Sequence, residues 1–345
     1  MRDFTPPPPR CPRPRRLPLA LALVAGSVAL GGCWGGGAEK KERLAAESRQ
    51  RVEAEDATRN ALALLQQQRL EEARQEFERA LAVNPLLITA RIGLGEVYMR
   101  RDEPARAEAE FRAAAAQSPG SFNAQYHHGL ALQLLDRVTE AISAYLRALR
   151  IQPADFDANL NIATAYLQAE EPEQALIYAR RAVQIDGRSA SARTNLGAVY
   201  AALGQHEAAV IEYQQAAELM DPITPELLIN LAESLRHTGR HEEMRSALTE
   251  LITREPSAEA WERLGYANFK LRRYDDALAA FRTALRIKED YYPAWNGVGV
   301  CLLNRYEFSQ RADRESLSEA VSALKRSLQI NRRQPQVVQW LSKYG

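Results

Sequence analysis

Residues 261–285, WERLGYANFKLRRYDDALAAFRTAL, decide the fold of this chain. Within each half of the stretch, apolar or small side chains recur at steps of three or four residues. They are Trp261, Leu264 and Gly265 in the first half, and Ala277, Phe281, Ala284 and Leu285 in the second. Such steps put side chains on one face of a helix, whereas a half-buried strand needs alternation with a period of two. The stretch therefore predicts two amphipathic helices.

The same register fits eight times between residues 54 and 332, with places numbered so that Gly265 is place 8 and Phe281 is place 24. Pro85, Pro119 and Pro153 follow three of the copies and lie 34 residues apart. Because proline lacks a backbone donor and clashes with the preceding turn, each one ends the second helix of its copy. One helix pair cannot bury its apolar face alone, so we expect the pairs to stack.

The signature of the tetratricopeptide repeat is Trp, Leu, Gly and Tyr, followed by Ala, Phe, Ala and Pro, at these places. The chain resembles that family over residues 54–332. The resemblance implies an all-α fold, an α-solenoid of about eight antiparallel helical hairpins. The eighth copy has about nine extra residues near 306–315, which predict either an ordered loop or a longer pair of helices. Residues 333–345 are expected to form a capping helix.

The first 32 residues have the layout of a secretory signal peptide, in which a basic segment, Arg10–Arg16, precedes an apolar run, Leu17–Leu30. The ending Leu30-Gly31-Gly32-Cys33 resembles the lipobox of bacterial lipoproteins, which implies that Cys33 becomes the first residue and is lipidated. An uncleaved membrane anchor is the alternative. Both interpretations put the repeats outside the cytoplasm, because the arginines stay inside.

Trp34 follows the cysteine where an Asp would favour inner-membrane retention in the lipoprotein family. The resemblance therefore implies an anchor in the outer membrane, facing the periplasm, with inner-membrane anchoring as the alternative. Residues 33–53 are interpreted as the lipidated cysteine and a tether. Gly35–Gly37 predicts flexibility, and the charged segment after it favours helix.

Composition and charge argue against one class of function, the binding of nucleic acid. The chain is 46% hydrophobic and 26% charged, which is ordinary for a soluble repeat domain. Residues 1–32 hold five arginines and one aspartate, so the remainder has 40 basic and 43 acidic side chains and a net charge of about −3. This charge and the absence of a basic stripe argue against nucleic acid as a partner.

The sequence offers little for catalysis. A phosphate-binding loop, a His-Glu-x-x-His pair and a Gly-x-Ser-x-Gly elbow are all missing. His237 and His241 are four residues apart, but Gly239 interrupts the helix that would align them on a metal. Cys301 has no partner and is interpreted as a small buried hydrophobe. We expect no enzyme activity, cofactor, metal or small-molecule substrate.

A binding groove is a better candidate for the functional site than a catalytic pocket. The family resemblance implies that places 2, 5, 6, 9, 12 and 13 of the first helices face a concave groove. Place 6 holds Asn161, Asn195 and Asn230, whose amides are suited to holding an extended peptide backbone. The alternative is that these amides only satisfy local polar groups. Other groove candidates are Tyr126, Glu233, Arg236, Arg263, Tyr266 and Phe269.

These features predict a non-catalytic interaction scaffold or assembly factor of the bacterial cell envelope, which binds a protein or peptide. It looks similar to pilus-biogenesis lipoproteins that help to assemble secretins. Two alternatives stay open. One is an accessory protein of a polysaccharide, peptidoglycan or secretion machinery. The other is an enzyme accessory or a peptidase hidden in the array.

Overall fold

The structure, a computed structural model, describes residues 35–345. The predicted signal peptide, Cys33 and Trp34 lie outside the described residues. Within residues 35–345 the chain forms 17 α-helices and no strand. Their bounds are α1 Gly35–Gln66, α2 Leu70–Val83, α3 Ile88–Arg100, α4 Pro104–Gln117, α5 Phe122–Leu134, α6 Val138–Ile151, α7 Phe156–Gln168, α8 Pro172–Ile185, α9 Ala190–Ala202, α10 His206–Glu218, α11 Pro225–His237, α12 His241–Arg254, α13 Ala258–Lys270, α14 Tyr274–Ile287, α15 Tyr292–Phe308, α16 Arg314–Ile330 and α17 Pro335–Tyr344.

The chain divides into two units, residues 1–50 and residues 51–345. The described part of the first unit is helical, and its side chains from residue 40 onward are exposed. The glycine triplet, for which we expected a flexible tether, is instead the first turn of α1. In the second unit, burial begins at Ala54, the residue at which the repeats were predicted to start.

Residues 51–345 form the predicted stack of eight helical hairpins, which runs from residues 51–66 of α1 with α2 to α15 with α16. Each hairpin packs against the next through its second helix and the following first helix. First helices of successive hairpins also contact each other directly, as α3 does with α5 and α13 with α15. Within residues 35–345, second helices of successive hairpins make no comparable contact with each other. The all-α repeat fold is therefore confirmed, and the first helices line one side of the stack.

Repeated end signals set the helix bounds. Pro85, Pro119, Pro153 and Pro256 each lie two residues beyond the last residue of a second helix, as predicted. The first helices α5, α7, α9, α11 and α13 begin with a Ser, Asp or Thr cap whose side chain accepts a hydrogen bond from a backbone N–H three residues on. Such caps satisfy donors that the first helical turn leaves free.

An aromatic ring at place 24 packs on a glycine in most hairpins. A Cβ added to Gly197 would lie 2.6 Å from the ring of Tyr213, and one added to Gly265 would lie 2.7 Å from Phe281. Real Cβ atoms do not approach so closely, so glycine is required where the ring lies against the first helix. Place 8 is therefore small because it receives a ring, and not only because two backbones approach.

The extra residues of the eighth copy lengthen both of its helices, so the second of the two predicted alternatives is confirmed. Helices α15 and α16 have 17 residues each, against 13 and 14 in the seventh hairpin. Helix α17 then covers the last hairpin with Val337 buried, as predicted for a cap. The Gln334 amide holds the start of α17 by donating to Ser327 Oγ at 2.9 Å and to the Asn331 carbonyl at 2.8 Å.

The turn of hairpin eight uses two left-handed residues, Gln310 and Arg311, whereas the turn inside each earlier hairpin uses one, at place 15. Its φ is 58° at Asp102, Asp136 and Glu170, 61° at Arg272, 70° at Gly204 and 71° at Gly239. A residue with a side chain is strained in this conformation, whereas glycine is not. The two glycines therefore release strain that the other hairpins carry.

Gly204→Ala should lower the free energy of unfolding by about 1 kcal/mol through backbone strain alone. An added Cβ at Gly204 meets nothing within 4 Å, so no steric clash contributes. Gly120→Ala is the matched control, since a Cβ there also meets nothing within 4 Å and its φ is not positive. Urea unfolding followed by circular dichroism measures both. Equal stability of the two variants would contradict the assignment.

Candidate partner-binding groove

The candidate site is the first-helix groove, defined as the side chains at places 2, 5, 6, 9, 12 and 13 of the first helices. It exists because first helices of neighbouring hairpins lie next to each other on one side of the stack. The predicted site residues Tyr126, Asn161, Asn195, Asn230, Glu233, Arg236, Arg263, Tyr266 and Phe269 all lie on first helices. The structure brings them together in two groups.

The first group contains two of the three predicted asparagines. Asn161 donates from Nδ2 to the Tyr126 hydroxyl at 2.9 Å, and Asn195 donates to Thr164 Oγ1 at 2.8 Å. Each bond joins one hairpin to the hairpin before it. These amides therefore bridge neighbouring first helices, while Asn230 is exposed and has no such bond within the described residues. Whether the three hold a peptide backbone stays a prediction.

Tyr126 belongs to this internal network. Its ring stacks on Phe122 with centroids 5.6 Å apart and an interplanar angle of 7°. Burial raises the pKa of its hydroxyl to about 12, so the group remains a neutral donor and acceptor near neutral pH. In hairpins three to five, side chains of the groove therefore bond to one another across neighbouring first helices.

The second group lines two adjoining cavities between hairpins six, seven and eight. The smaller cavity, of about 190 Å³, is lined by Glu233, Arg236, Met244, Glu262, Arg263 and Tyr266. The larger, which we call the end cavity, has a volume of about 420 Å³. Its lining is Glu262, Tyr266, Phe269, Lys270, Phe281, Pro293, Asn296, Gly297, Val300, Gln336 and Trp340. Glu262 and Tyr266 face both cavities.

The two carboxylates of this group differ in environment. Glu233 accepts from Arg236 Nε at 3.1 Å, and this bond lowers the pKa of Glu233. Glu262 has no hydrogen-bond or ion-pair partner within residues 35–345, and burial raises its pKa. The unpaired carboxylate thus lies where the two cavities meet.

Most histidines contact other side chains of the repeats. His128 Nε2 lies 3.3 Å from the buried Glu108 carboxylate, and His127 stacks on Phe111. His206 and His237 stack with centroids 4.1 Å apart and planes 5° from parallel. Nitrogen lone pairs of parallel stacked rings do not converge on one ion. Within residues 35–345, no group of three or more His, Cys, Asp or Glu residues is arranged to hold a metal.

Cys301 is buried as predicted, with 3% of its surface exposed. Burial raises the pKa of its thiol to about 12. Since the thiolate is the reactive form, this side chain is an inert part of the core.

Sequence patterns missed the contribution of α17 to the groove. Its Gln336 and Trp340 form one wall of the end cavity, although the apolar pattern of this segment indicated only a cap. Asn296 helps to position the wall, because its Nδ2 donates to Gln334 Oε1 at 2.7 Å. Asn296 and Gly297 are at places 5 and 6 of hairpin eight, so the repeat register predicts that they lie in the groove. It does not predict that Asn296 bonds to Gln334.

Lowering the pH from about 7.5 to about 5.5 should destabilise the protein through its buried and partly buried histidines. Burial lowers the pKa of His127, His128, His206 and His241, so the unfolded chain binds protons first as the pH falls. Stability is therefore lost from the unfolded pKa of about 6.5 downward.

His206→Gln should reduce this loss, as measured by the midpoint of thermal unfolding at the two pH values. Glu218→Gln, an exposed change on the same helix, is the control and should keep the wild-type pH dependence. An unchanged pH dependence in His206→Gln would refute the contribution of this histidine.

The fold and the groove together define a helical-hairpin repeat protein. The tetratricopeptide repeat family matches residues 58–122, 126–190, 160–222 and 229–292, which is more than half of the chain. The chain belongs to the tetratricopeptide repeat family, and the family expected from its sequence is confirmed. No curated protein matches it.

Solved structures share the fold at low sequence identity. A tetratricopeptide repeat protein from Parabacteroides merdae is 16% identical, with a TM-score of 0.52 over 69% of this chain and 94% of its own. PilF of Pseudomonas aeruginosa is 21% identical, with a TM-score of 0.54 over 64% and 99%. PilW, described as a type IV pilus biogenesis factor, is 20% identical, with a TM-score of 0.54 over 60% and 96%. At these identities the likeness extends to the fold alone.

Proposed function

We propose that this protein is a non-catalytic scaffold or assembly factor that binds an extended segment of a protein partner in its first-helix groove. Repeat proteins of this fold bind protein or peptide partners along extended surfaces. The observation that carries the proposal is the pair of adjoining cavities at hairpins six to eight, where aromatic side chains lie beside charged ones. Tyr, Trp and Arg are the residue types that concentrate binding energy at interfaces.

The chemistry of the groove supports binding more than catalysis. Catalytic groups need a nucleophile or base that is free to reach a substrate. Here the Cys301 thiol is buried, and Glu233 is paired with Arg236. Glu262 is unpaired, but the lining of the end cavity holds no histidine, cysteine or second carboxylate to act with it. The aromatic side chains Tyr266, Phe269 and Trp340 offer contact area to a partner.

The proposed site of action is the cell envelope, with the chain anchored by lipid at Cys33 and the repeats in the periplasm. The support is the sequence of residues 10–33, a basic segment, an apolar run and Leu30-Gly31-Gly32-Cys33. Within residues 35–345, no helix combines the length and apolar character needed to cross a bilayer. Pilus assembly, in which PilW takes part, is one envelope process that such a scaffold would serve.

A photo-crosslinker placed in the groove should capture the partner, whereas one on the second helices should not. We would replace Tyr266 with benzoylphenylalanine in the full-length protein, and Ile177 in the control, because Ile177 is 54% exposed and lies on the second helix α8. Mass spectrometry after irradiation of cells identifies the adducts. Equal adducts from both positions, or adducts from Ile177 alone, would contradict binding in the groove.

Cys33→Ala should abolish incorporation of radiolabelled fatty acid and release the protein from membranes. Acylation requires a thiol at the lipobox position, and several acyl chains on one residue hold a protein durably at a bilayer. Cys11→Ala and Cys301→Ala are the controls and should stay labelled, since Cys11 precedes the cleavage position and Cys301 is buried. Continued labelling of Cys33→Ala would overturn the lipid anchor.

A further inference from the structure

The end cavity is closed by a part of the chain that does not belong to the repeats. Helices α13 and α15 supply two walls, and α17 supplies a third through Trp340 and Gln336. Helix α17 is fixed in place by Gln334, which bonds to Ser327, Asn331 and Asn296 at 2.7–2.9 Å. The cavity is therefore preformed, and a ligand would not have to order its walls.

Aromatic side chains dominate the walls of this cavity. Tyr266 and Phe269 come from α13, Trp340 from α17, and Phe281 lies behind Gly297. A Cβ on Gly297 would lie 2.4 Å from the Phe281 ring, so glycine at this position allows the ring to reach the cavity. Rings attract a cation placed over their faces, and they stack with a planar guanidinium.

Glu262 is the one carboxylate among the residues that line the end cavity. Glu233, Arg236 and Arg263 line the adjoining smaller cavity with it, and Glu259 also acts on its charge, but within residues 35–345 none of these groups forms an ion pair with it. Arg236 is already bound to Glu233. Lys270 also lines the cavity, but it is exposed and its ammonium lies 5.4 Å from the centroid of the Tyr266 ring. A partly buried carboxylate that lines a cavity and has no ion-pair partner is available to pair with a cation from a partner.

We propose that the end cavity is a binding site for an arginine side chain of the partner, with the guanidinium paired to Glu262 and stacked against Tyr266 and Trp340. This inference rests on the proposed function and specifies the chemistry of the segment that is bound. Arginine fits better than lysine because its planar fork pairs with a carboxylate through two hydrogen bonds and stacks on rings.

Four peptides that differ at one position test the arginine site. Each is an acetylated and amidated dodecapeptide of Gly, Ser and Ala with Leu-X-Leu at its centre, where X is arginine, lysine, citrulline or glutamate. Binding to the full-length protein in detergent is measured by isothermal titration calorimetry. The arginine peptide should bind about tenfold or more tightly than the citrulline peptide, which has the same shape without the charge. Lysine should fall between them, and glutamate should bind worst.

Glu262→Gln should abolish the preference for arginine over citrulline and leave citrulline binding unchanged. Glu218→Gln, a change of the same kind on an exposed residue, should keep the preference, and circular dichroism checks that both variants are folded. Equal binding of arginine and citrulline by the wild type, a preference that survives Glu262→Gln, or no binding of any peptide overturns the arginine site. Partner adducts from Tyr266 would still appear in those cases if the groove binds a partner in another way.

Discussion

The contact on which the other features of the stack depend is an aromatic ring held against a glycine. Phe111, Tyr145, Tyr213 and Phe281 each lie where a Cβ on the place-8 glycine of the same hairpin would come within 2.7 Å of a ring atom. Phe77 instead meets Gly93 of the following hairpin. Hairpins four and six have no ring at place 24, and there place 8 is Ala163 or Ala232 rather than glycine. Hairpin eight departs from this pairing, because its place-8 Gly299 packs on Leu324. In the other hairpins a ring at place 24 always packs on a glycine, which keeps the helices close without leaving a void.

This contact also determines what the groove can present. Because place 8 faces inward to receive the ring, places 5, 6, 9, 12 and 13 of the same helix are turned toward the neighbouring first helix and the open side. In hairpins three to five those places are used for bonds within the chain, such as Asn161 to Tyr126. In hairpins six to eight they leave cavities and an unpaired Glu262. Hairpins three to five thus use groove side chains to bridge neighbouring first helices, whereas hairpins six to eight leave cavities and a carboxylate for a partner.

Much of the fold could be predicted from local patterns in the sequence, whereas the cavities could be predicted only in part. The steps of three and four residues around Phe281 and the prolines after second helices predicted the hairpins and their ends, because both act within a few residues. The places of Tyr266, Phe269 and Arg263 in the groove followed from the register. The partners of Asn161 and Asn296 are 35 and 38 residues away, and no local pattern encodes such pairs. The glycine triplet misled us, since helix propensity is a weak signal beside its context.

The anchoring of Gln334 has a consequence for stacking at the end of hairpin eight. Its amide uses all its polar atoms on groups at the end of hairpin eight, and Val337 then fills the apolar surface on which a ninth hairpin would stack. Duplication of a repeat after residue 332 would have to displace these bonds before the new hairpin could pack. Residues 333–345 therefore compete with any further hairpin for this end of the stack.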